Sequence, residues 1–214
     1  MATFRAGDDD GSGDREMENG RLVRDNVYGT IEEDAVRRDF TANALYYAVS
    51  DFTVRDYVGG FDDVGARVLR LIGDPESRYR EDPVRMLRAV RLAAKLDFTI
   101  EAASAEPIAR LAPLLAEASN ARLFDESLKL FLAGHAERGF ELLERYGLLE
   151  HFLPDVATAL ALDASGLCRQ MLVTALRDCD ARVAEEKSVT PSFLFAALLW
   201  PAYAHDLQVL LSQG

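Results

Sequence analysis

Leu71-Ile72-Gly73-Asp74-Pro75-Glu76-Ser77-Arg78-Tyr79-Arg80-Glu81-Asp82-Pro83-Val84-Arg85-Met86-Leu87-Arg88-Ala89-Val90-Arg91 is where the chain changes character. Before it the pattern is mixed; after Gly73 it is helical almost throughout. Asp82 has the side chain of a helix N-cap, and Pro83 loses nothing at a first helical position, where an N–H has no intrahelical partner. A helix is therefore predicted from here to about Leu96. Val84, Leu87, Val90 and Ala94 form its apolar side, while Arg85, Arg88, Arg91 and Lys95 share another side at spacings of three and four.

Working upstream, Phe52-Thr53-Val54-Arg55-Asp56-Tyr57-Val58 alternates and is rich in β-branched and aromatic residues, so it reads as a strand. Gly59-Gly60 ends it, a loop runs through Asp62-Asp63, and Val68-Leu69-Arg70-Leu71-Ile72 reads as a second strand, paired with the first in a short hairpin. From Ile31 to about Val49 the pattern is helical, with Glu32, Glu33 and Asp34 in the first turn, where the helix dipole favours them. Ala2-Thr3-Phe4-Arg5 reads as the end of a strand, and Gly7 to Gly20 as a polar, acidic loop. Downstream, helices are predicted near 104–117, 120–133, 136–146, 165–186, 191–200 and 203–212. Pro107 and Pro113 make the first irregular, and Asn120 has the chemistry to cap the second. The fold class expected is mainly α, α+β overall: a small piece with a short hairpin, then a helical array without internal repeats.

The chain has 214 residues, 49% hydrophobic and 28% charged, which excludes wholesale disorder. Cys168 and Cys179 make no metal pattern, and a reduced setting is expected. The run Phe193 to Ala204 contains Pro201 and is read as too short for a bilayer. Arg5 and Asp8-Asp9-Asp10 leave no room for a signal peptide, so no membrane segment and a cytoplasmic location are expected. The net charge of −12 argues against simple nucleic-acid binding. Charge is uneven, however. Between Arg67 and Lys95 eight basic residues stand against Asp74, Glu76, Glu81 and Asp82, a net +4.

Three clusters concentrate chemistry: Arg37-Arg38-Asp39-Phe40-Thr41, Glu81 to Arg88, and Ala121-Arg122-Leu123-Phe124-Asp125-Glu126. Singly each has a bland explanation. Arg-Arg-Asp serves as an exposed ion-pair face in many helices, and Asp82 with Arg85 could be a cap and its i,i+3 partner. Asp8-Asp9-Asp10 and Asp178-Cys179-Asp180 contain Asp-x-Asp but lack a preceding apolar strand, and neither is assigned to metal. His135, His151 and His205 are scattered and read as surface or packing residues.

Taken in order, Arg37-Arg38-Asp39-Phe40-Thr41-x-Asn43-Ala44-Leu45, then Asp56-Tyr57-x-Gly59-Gly60, then the stretch from Leu71 to Arg91 resemble the class II nucleotidyltransferases. That family holds the bacterial poly(A) polymerases and the CCA-adding enzymes of tRNA. The resemblance runs from about Asp25 to Pro154. Arg24-Asp25-Asn26-x-Tyr28-Gly29-x-Ile31-Glu32-Glu33-Asp34-Ala35, Asp51 to Val58, and Arg122-Leu123-Phe124-x-Glu126-Ser127-Leu128-Lys129-Leu130 are similar to the poly(A) polymerase branch. Val49-Ser50-Asp51-Phe52 has no glycine, whereas CCA-adding enzymes tend to carry one there, and less hinge freedom suits an enzyme adding one nucleotide.

The resemblance implies the end of a nucleotidyltransferase head (1–73), a neck binding nucleotide base and RNA (74–118) and a helical body (119–214). It implies ATP as substrate and RNA 3′ ends as partner, with AMP added without a template. Asp82 and Arg85 would read the incoming base, Arg88 would meet the triphosphate, and Arg38 would stand near ribose and phosphates with Asp39 as a catalytic residue. Arg91, Lys95, Arg122 and Lys129 would hold RNA. Two Mg²⁺ ions serve such displacements. The family's upstream Gly-Gly turn and Asp-x-Asp pair do not precede Arg38, so no metal ligand is assigned in this chain. A truncated polymerase lacking its metal part and a basic C-terminal extension is expected, inactive by itself. A CCA-adding enzyme and a non-catalytic helical RNA-binding module are the alternatives.

Overall fold

The computed structural model describes residues 15–18, 21–25 and 29–212. The expected strand at Ala2–Arg5 lies outside them. The chain divides into two compact units, Met1–Pro75 and Glu76–Gly214.

In the first unit, β1 (Arg15–Glu18), inside the stretch expected to be loop, pairs antiparallel with β2 (Arg21–Asp25), which follows that stretch. Helix α1 (Ile31–Arg37) opens on a capping box: Glu33 N–H donates to the Thr30 hydroxyl at 3.2 Å and Thr30 N–H to the Glu33 carboxylate at 2.6 Å. The helix does not run on to Val49. Arg38 turns extended, and buried Phe40 forms an antiparallel bridge with Leu71, through Thr41 N–H to the Arg70 carbonyl and Ile72 N–H to the Asp39 carbonyl. Then β3 (Leu45–Ala48) pairs with β4 (Thr53–Asp56), Tyr46 opposite Arg55 and Tyr47 opposite Val54. The hairpin partner of the 52–58 strand is thus the segment before it, not Val68–Ile72. A short antiparallel connection closes more cheaply than a longer one, and two tyrosines suit a pleated edge better than their helical spacing suggested. Phe52, in the turn, takes φ 58°, a conformation that costs an L-residue about 1 kcal/mol.

Asp63, expected in a loop, lies in helix α2 (Gly60–Gly65). Asp56 starts that helix. Its carboxylate accepts from the N–H groups of Val58, Gly59 and Gly60 at 3.0 Å each and of Phe61 at 2.9 Å. Burial works to raise its pKa, but these four bonds outweigh it and hold the carboxyl below the usual range. Gly60 presses on η1 (Thr41–Asn43): a Cβ there would lie 2.2 Å from the Thr41 carbonyl oxygen. Buried Asp63 accepts from the Thr41 hydroxyl at 2.7 Å and from the Arg70 Nε at 3.0 Å. Ala35, Ala44 and Ile72 form a small core with Tyr46, Tyr57 and Val58.

The second unit is helical. α3 (Pro75–Glu81) leads into α4 (Val84–Leu96), which buries Val84, Met86, Leu87, Ala89, Val90, Ala93 and Ala94 and ends on Asp97 at φ 55°. The helix begins one residue later than expected, with Pro83 at the cap position. Asp82 still serves the first turn, accepting from Val84 N–H at 3.2 Å. Glu76, on α3, is gripped by Arg110 and Arg80, which bring its pKa down to about 2. The segment expected to be broken is broken, into α5 (Ala102–Ala105), α6 (Ile108–Leu111) and a 3₁₀ stretch Ala112–Glu117. α7 (Asn120–Phe131) and α8 (Ala136–Arg145) pack on α4; Ser119 rather than Asn120 holds the cap position of α7. The short α9 (Leu149–Phe152) and α10 (Pro154–Leu162) follow, then α11 (Leu167–Ala184), whose Asp180 caps α8 by accepting from Ala136 N–H at 2.6 Å and Glu137 N–H at 3.0 Å.

α12 (Pro191–Ser212) is one helix, not two, and passes through Pro201. A proline removes one backbone bond and crowds the preceding turn; packing along α10 and α11 carries the helix across it. Among the described residues this helix is long and apolar enough to cross a membrane by length and composition, contrary to the expectation drawn from Pro201, and it is packed against other helices along part of its length.

Gly60→Ala is expected to lower the unfolding free energy by about 2 kcal/mol through overpacking against Thr41. Gly65→Ala, with nothing within 4 Å, should be neutral or slightly stabilising. Urea denaturation of both variants checks the contrast.

Candidate functional site

Cations at spacings of three along α4 repel one another unless something neutralises them. Here that group is Glu126, projecting from α7 and only 4% exposed. Its carboxylate takes Arg91 Nε at 3.0 Å, Lys129 Nζ at 3.3 Å and Arg88 Nε at 3.7 Å. Burying a carboxylate is costly unless it is paired; three cations supply the pairing and their outer faces remain partly in solvent. Arg88, Arg91 and Lys129 are therefore brought together. Lys95, one turn beyond Arg91, is exposed in the last turn of α4.

At the start of α4 the signs reverse. Asp82 takes Arg122 Nη2 of α7 at 2.7 Å. Arg85, whose side chain is only 12% exposed, gives Nη1 to Glu81 at 2.5 Å and to the Arg78 carbonyl at 2.8 Å. Asp82, just ahead of α4, and Arg85, in its first turn, thus have different partners. Arg122, expected among RNA contacts, lies on Asp82. The pair Arg122 and Glu126, at i,i+4 on α7, meets an acid with a base and bases with an acid.

In the first unit, Arg38 and Asp39 follow α1 directly. Asp34, one turn back, accepts from Arg38 Nη2 at 3.0 Å and from the Tyr46 hydroxyl at 2.7 Å. The Arg38 guanidinium also stands 5.5 Å from the centre of the Tyr46 ring, within cation–π range. Burial first, and then the bond to Asp34, push the Tyr46 phenol up to about 12. The Asp39 carbonyl is held by Ile72 N–H at 3.0 Å. Among the described residues no three His, Cys, Asp or Glu side chains gather as a metal site would require.

Glu126, Asp34 and Tyr46 were not among the site residues expected. Arg122-x-x-x-Glu126-x-x-Lys129 carried the signal for the first, a charge-alternating helix face with an acid at its centre. Nothing in the spacing joins Tyr46 to Arg38, because their contact depends on the unforeseen strand β3.

Glu126→Gln should cost about 2–3 kcal/mol, since it removes the buried negative charge that Arg91, Lys129 and Arg88 face; guanidinium denaturation measures it. Tyr46 favours its neutral form in the folded chain, so its contribution to stability is complete below pH 10.0, the ordinary value, and is lost as pH rises through about 12. Ultraviolet titration should show a late phenolate that Tyr46→Phe removes.

Known proteins match the chain in two regions and along its length. A model of the poly(A) polymerase head domain matches residues 1–70, and one described as the probable RNA- and SrmB-binding site of polymerase A matches residues 97–160. Poly(A) polymerase I of Haemophilus influenzae is 48% identical over 217 residues, covering 100% of this chain and 48% of that protein. The CCA-adding enzyme of Pediococcus pentosaceus is 41% identical over 112 residues, 52% of this chain and 28% of that one. The solved CCA-adding enzyme of Bacillus stearothermophilus in complex with CTP superposes with a TM-score of 0.60 at 28% identity, over 84% of this chain and 49% of that one. The chain spans about half the length of the curated poly(A) polymerases it matches. With both family regions in order and near 50% identity along its whole length, the chain belongs to the class II nucleotidyltransferases, in their poly(A) polymerase branch.

Proposed function

We propose that this chain is the nucleotide-selecting and RNA-holding part of a polynucleotide adenylyltransferase, which transfers AMP from ATP to an RNA 3′ end without a template. Asp82 is the observation that carries the reading: a carboxylate just ahead of the first turn of α4, oriented by two hydrogen bonds and followed by Arg85 and Arg88. An ionised carboxylate only accepts. The exocyclic amine of adenine donates to it, whereas guanine and uracil present a carbonyl oxygen at that edge, lone pair against lone pair. In this reading Arg85 donates to the adjacent ring nitrogen, Arg88 meets the triphosphate, and Arg91, Lys95 and Lys129 supply positive charge for the RNA backbone. Arg38 and Asp39, in the first unit, serve ribose, phosphate and catalysis.

The reaction is in-line attack of the RNA 3′ oxygen on the α-phosphorus. The new O–P bond forms as the bond to the bridging oxygen breaks, pyrophosphate leaves, and the hydroxyl proton passes to a base. Magnesium ions supply charge stabilisation in such transfers. The described residues do not by themselves fit a two-metal site. Free Cys168 and Cys179 support a reducing, cytoplasmic setting.

A CCA-adding activity is the second reading, favoured by the solved relative bound to CTP. Cytosine carries an exocyclic amine as adenine does, so Asp82 alone does not separate the two. Competition against a fluorescent ATP analogue tests both readings. ATP should compete at least roughly tenfold better than GTP or UTP, and Asp82→Asn, whose amide both donates and accepts, should abolish the difference. Failure to prefer ATP over GTP would sink the base-reading assignment. CTP competing as well as ATP, together with binding of tRNA lacking its 3′ end, would move the assignment to the second reading.

A further inference from the structure

Asp82 is covered to 17% exposure, and both of its oxygens have partners within the second unit. Oδ1 accepts from Val84 N–H at 3.2 Å and Oδ2 from Arg122 Nη2 at 2.7 Å, across 40 residues of sequence. Arg88 and Arg91 of α4 and Lys129 of α7 face Glu126 instead. We infer that Arg122 is a specificity-determining positioning residue, which locks the Asp82 carboxylate in the orientation that accepts an exocyclic amine and refuses a keto oxygen. The inference rests on the reading of Asp82 as the base-contacting group.

A carboxylate on one methylene turns about two bonds. A single long bond to a backbone N–H fixes one oxygen and leaves the other free to swing. The short charge-assisted bond from Arg122 fixes the second and with it the carboxylate plane. Two of about four lone-pair sites are then used, and the rest serve the incoming base. Discrimination needs that rigidity. A carboxylate free to turn aside would still meet adenine's amine, but would escape the clash with a guanine or uracil oxygen, so the wrong base would lose its penalty.

Two plainer roles compete. Arg122 could tie α4 to α7 as a surface ion pair, a contact of small energetic consequence at its 44% exposure. It could also touch RNA; but bound to Asp82 its charge is already matched, and it would displace few counterions from a phosphate backbone. Neither role acts on the choice of base, and that difference makes the test decisive.

Calorimetric titration of the 214-residue chain with ATP and with GTP gives the selectivity ratio for the parent, Arg122→Ala, Arg122→Lys, Asp82→Asn and the double variant. Anisotropy with a 3′-labelled oligoadenylate gives RNA affinity, and thermal melts give stability. Arg122→Ala should narrow the ATP-over-GTP ratio by roughly tenfold, and Arg122→Lys should recover part of it. In the Asp82→Asn background, Arg122→Ala should change the ratio no further. RNA affinity should stay within about twofold. An unchanged ratio with a lowered melting temperature would reduce Arg122 to a structural tie, and an unchanged ratio with weakened RNA binding would make it an RNA contact; either overturns the inference. A parent chain that does not distinguish ATP from GTP would remove the base-reading assignment itself, and this inference with it.

Discussion

The second unit turns on one buried carboxylate. Helix α4 has an apolar side that must be covered and a side with Arg88 and Arg91 one turn apart, which drives itself away from any like-charged neighbour. Glu126 resolves the conflict by supplying a single negative charge, inside the α4–α7 packing, to two arginines and Lys129. Three cations stand around this one carboxylate within a chain of net charge −12. An isolated positive patch on an acidic molecule attracts phosphate locally while the rest of the surface repels it, so binding is confined to one place.

The helix at Asp82-Pro83 was legible because two independent signals, a capping side chain and a proline compatible with a first turn, coincide with a three-and-four apolar period. Elsewhere one signal stood alone and misled. Leu45–Ala48 continues the apolar rhythm of the residues before it, and only its pairing with Thr53–Asp56 makes it a strand. Gly59-Gly60 with Asp62-Asp63 has the composition of a turn. Asp56 makes it a helix start by collecting four N–H groups, a tertiary fact that composition does not contain. Pro201 predicted a break, but helix packing on α10 and α11 outweighs one missing hydrogen bond.

The positions of the candidate site were more legible than their partnerships. Spacing puts Asp82, Arg85, Arg88 and Arg91 on one helix; the three arginines stand on α4, and Asp82 lies just ahead of it, accepting from Val84 N–H. Spacing says nothing of Arg122 reaching Asp82 or Glu126 reaching Arg91, contacts that span 40 and 35 residues. The same limit applies to Arg38, whose setting depends on Asp34 nearby and on Tyr46 from β3. Charged residues of a helix face advertise their chemistry locally, but whether a charge is offered to a ligand or matched within the protein is decided by what packs opposite.

That distinction bears on how such a site separates adenine from cytosine. Both bases present an amine beside a ring nitrogen, so a carboxylate and a guanidinium meet the same donor–acceptor pattern in each. The two bases differ in the distance from that edge to the sugar, since a purine interposes a second ring. Rigid reading groups convert this difference into a displacement of ribose and triphosphate. In the proposed reading, Arg85, held by Glu81 and the Arg78 carbonyl, and Asp82, held by Arg122 and Val84, would supply the rigid edge. The displacement then matters only if the phosphate-binding cation is also fixed. In the proposed role that cation is Arg88, whose Nε stands 3.7 Å from the Glu126 carboxylate. On the proposed reading, selection of one amine-bearing base over the other would belong to the span between the start of α4 and the Glu126 cluster, rather than to any single residue touching the base.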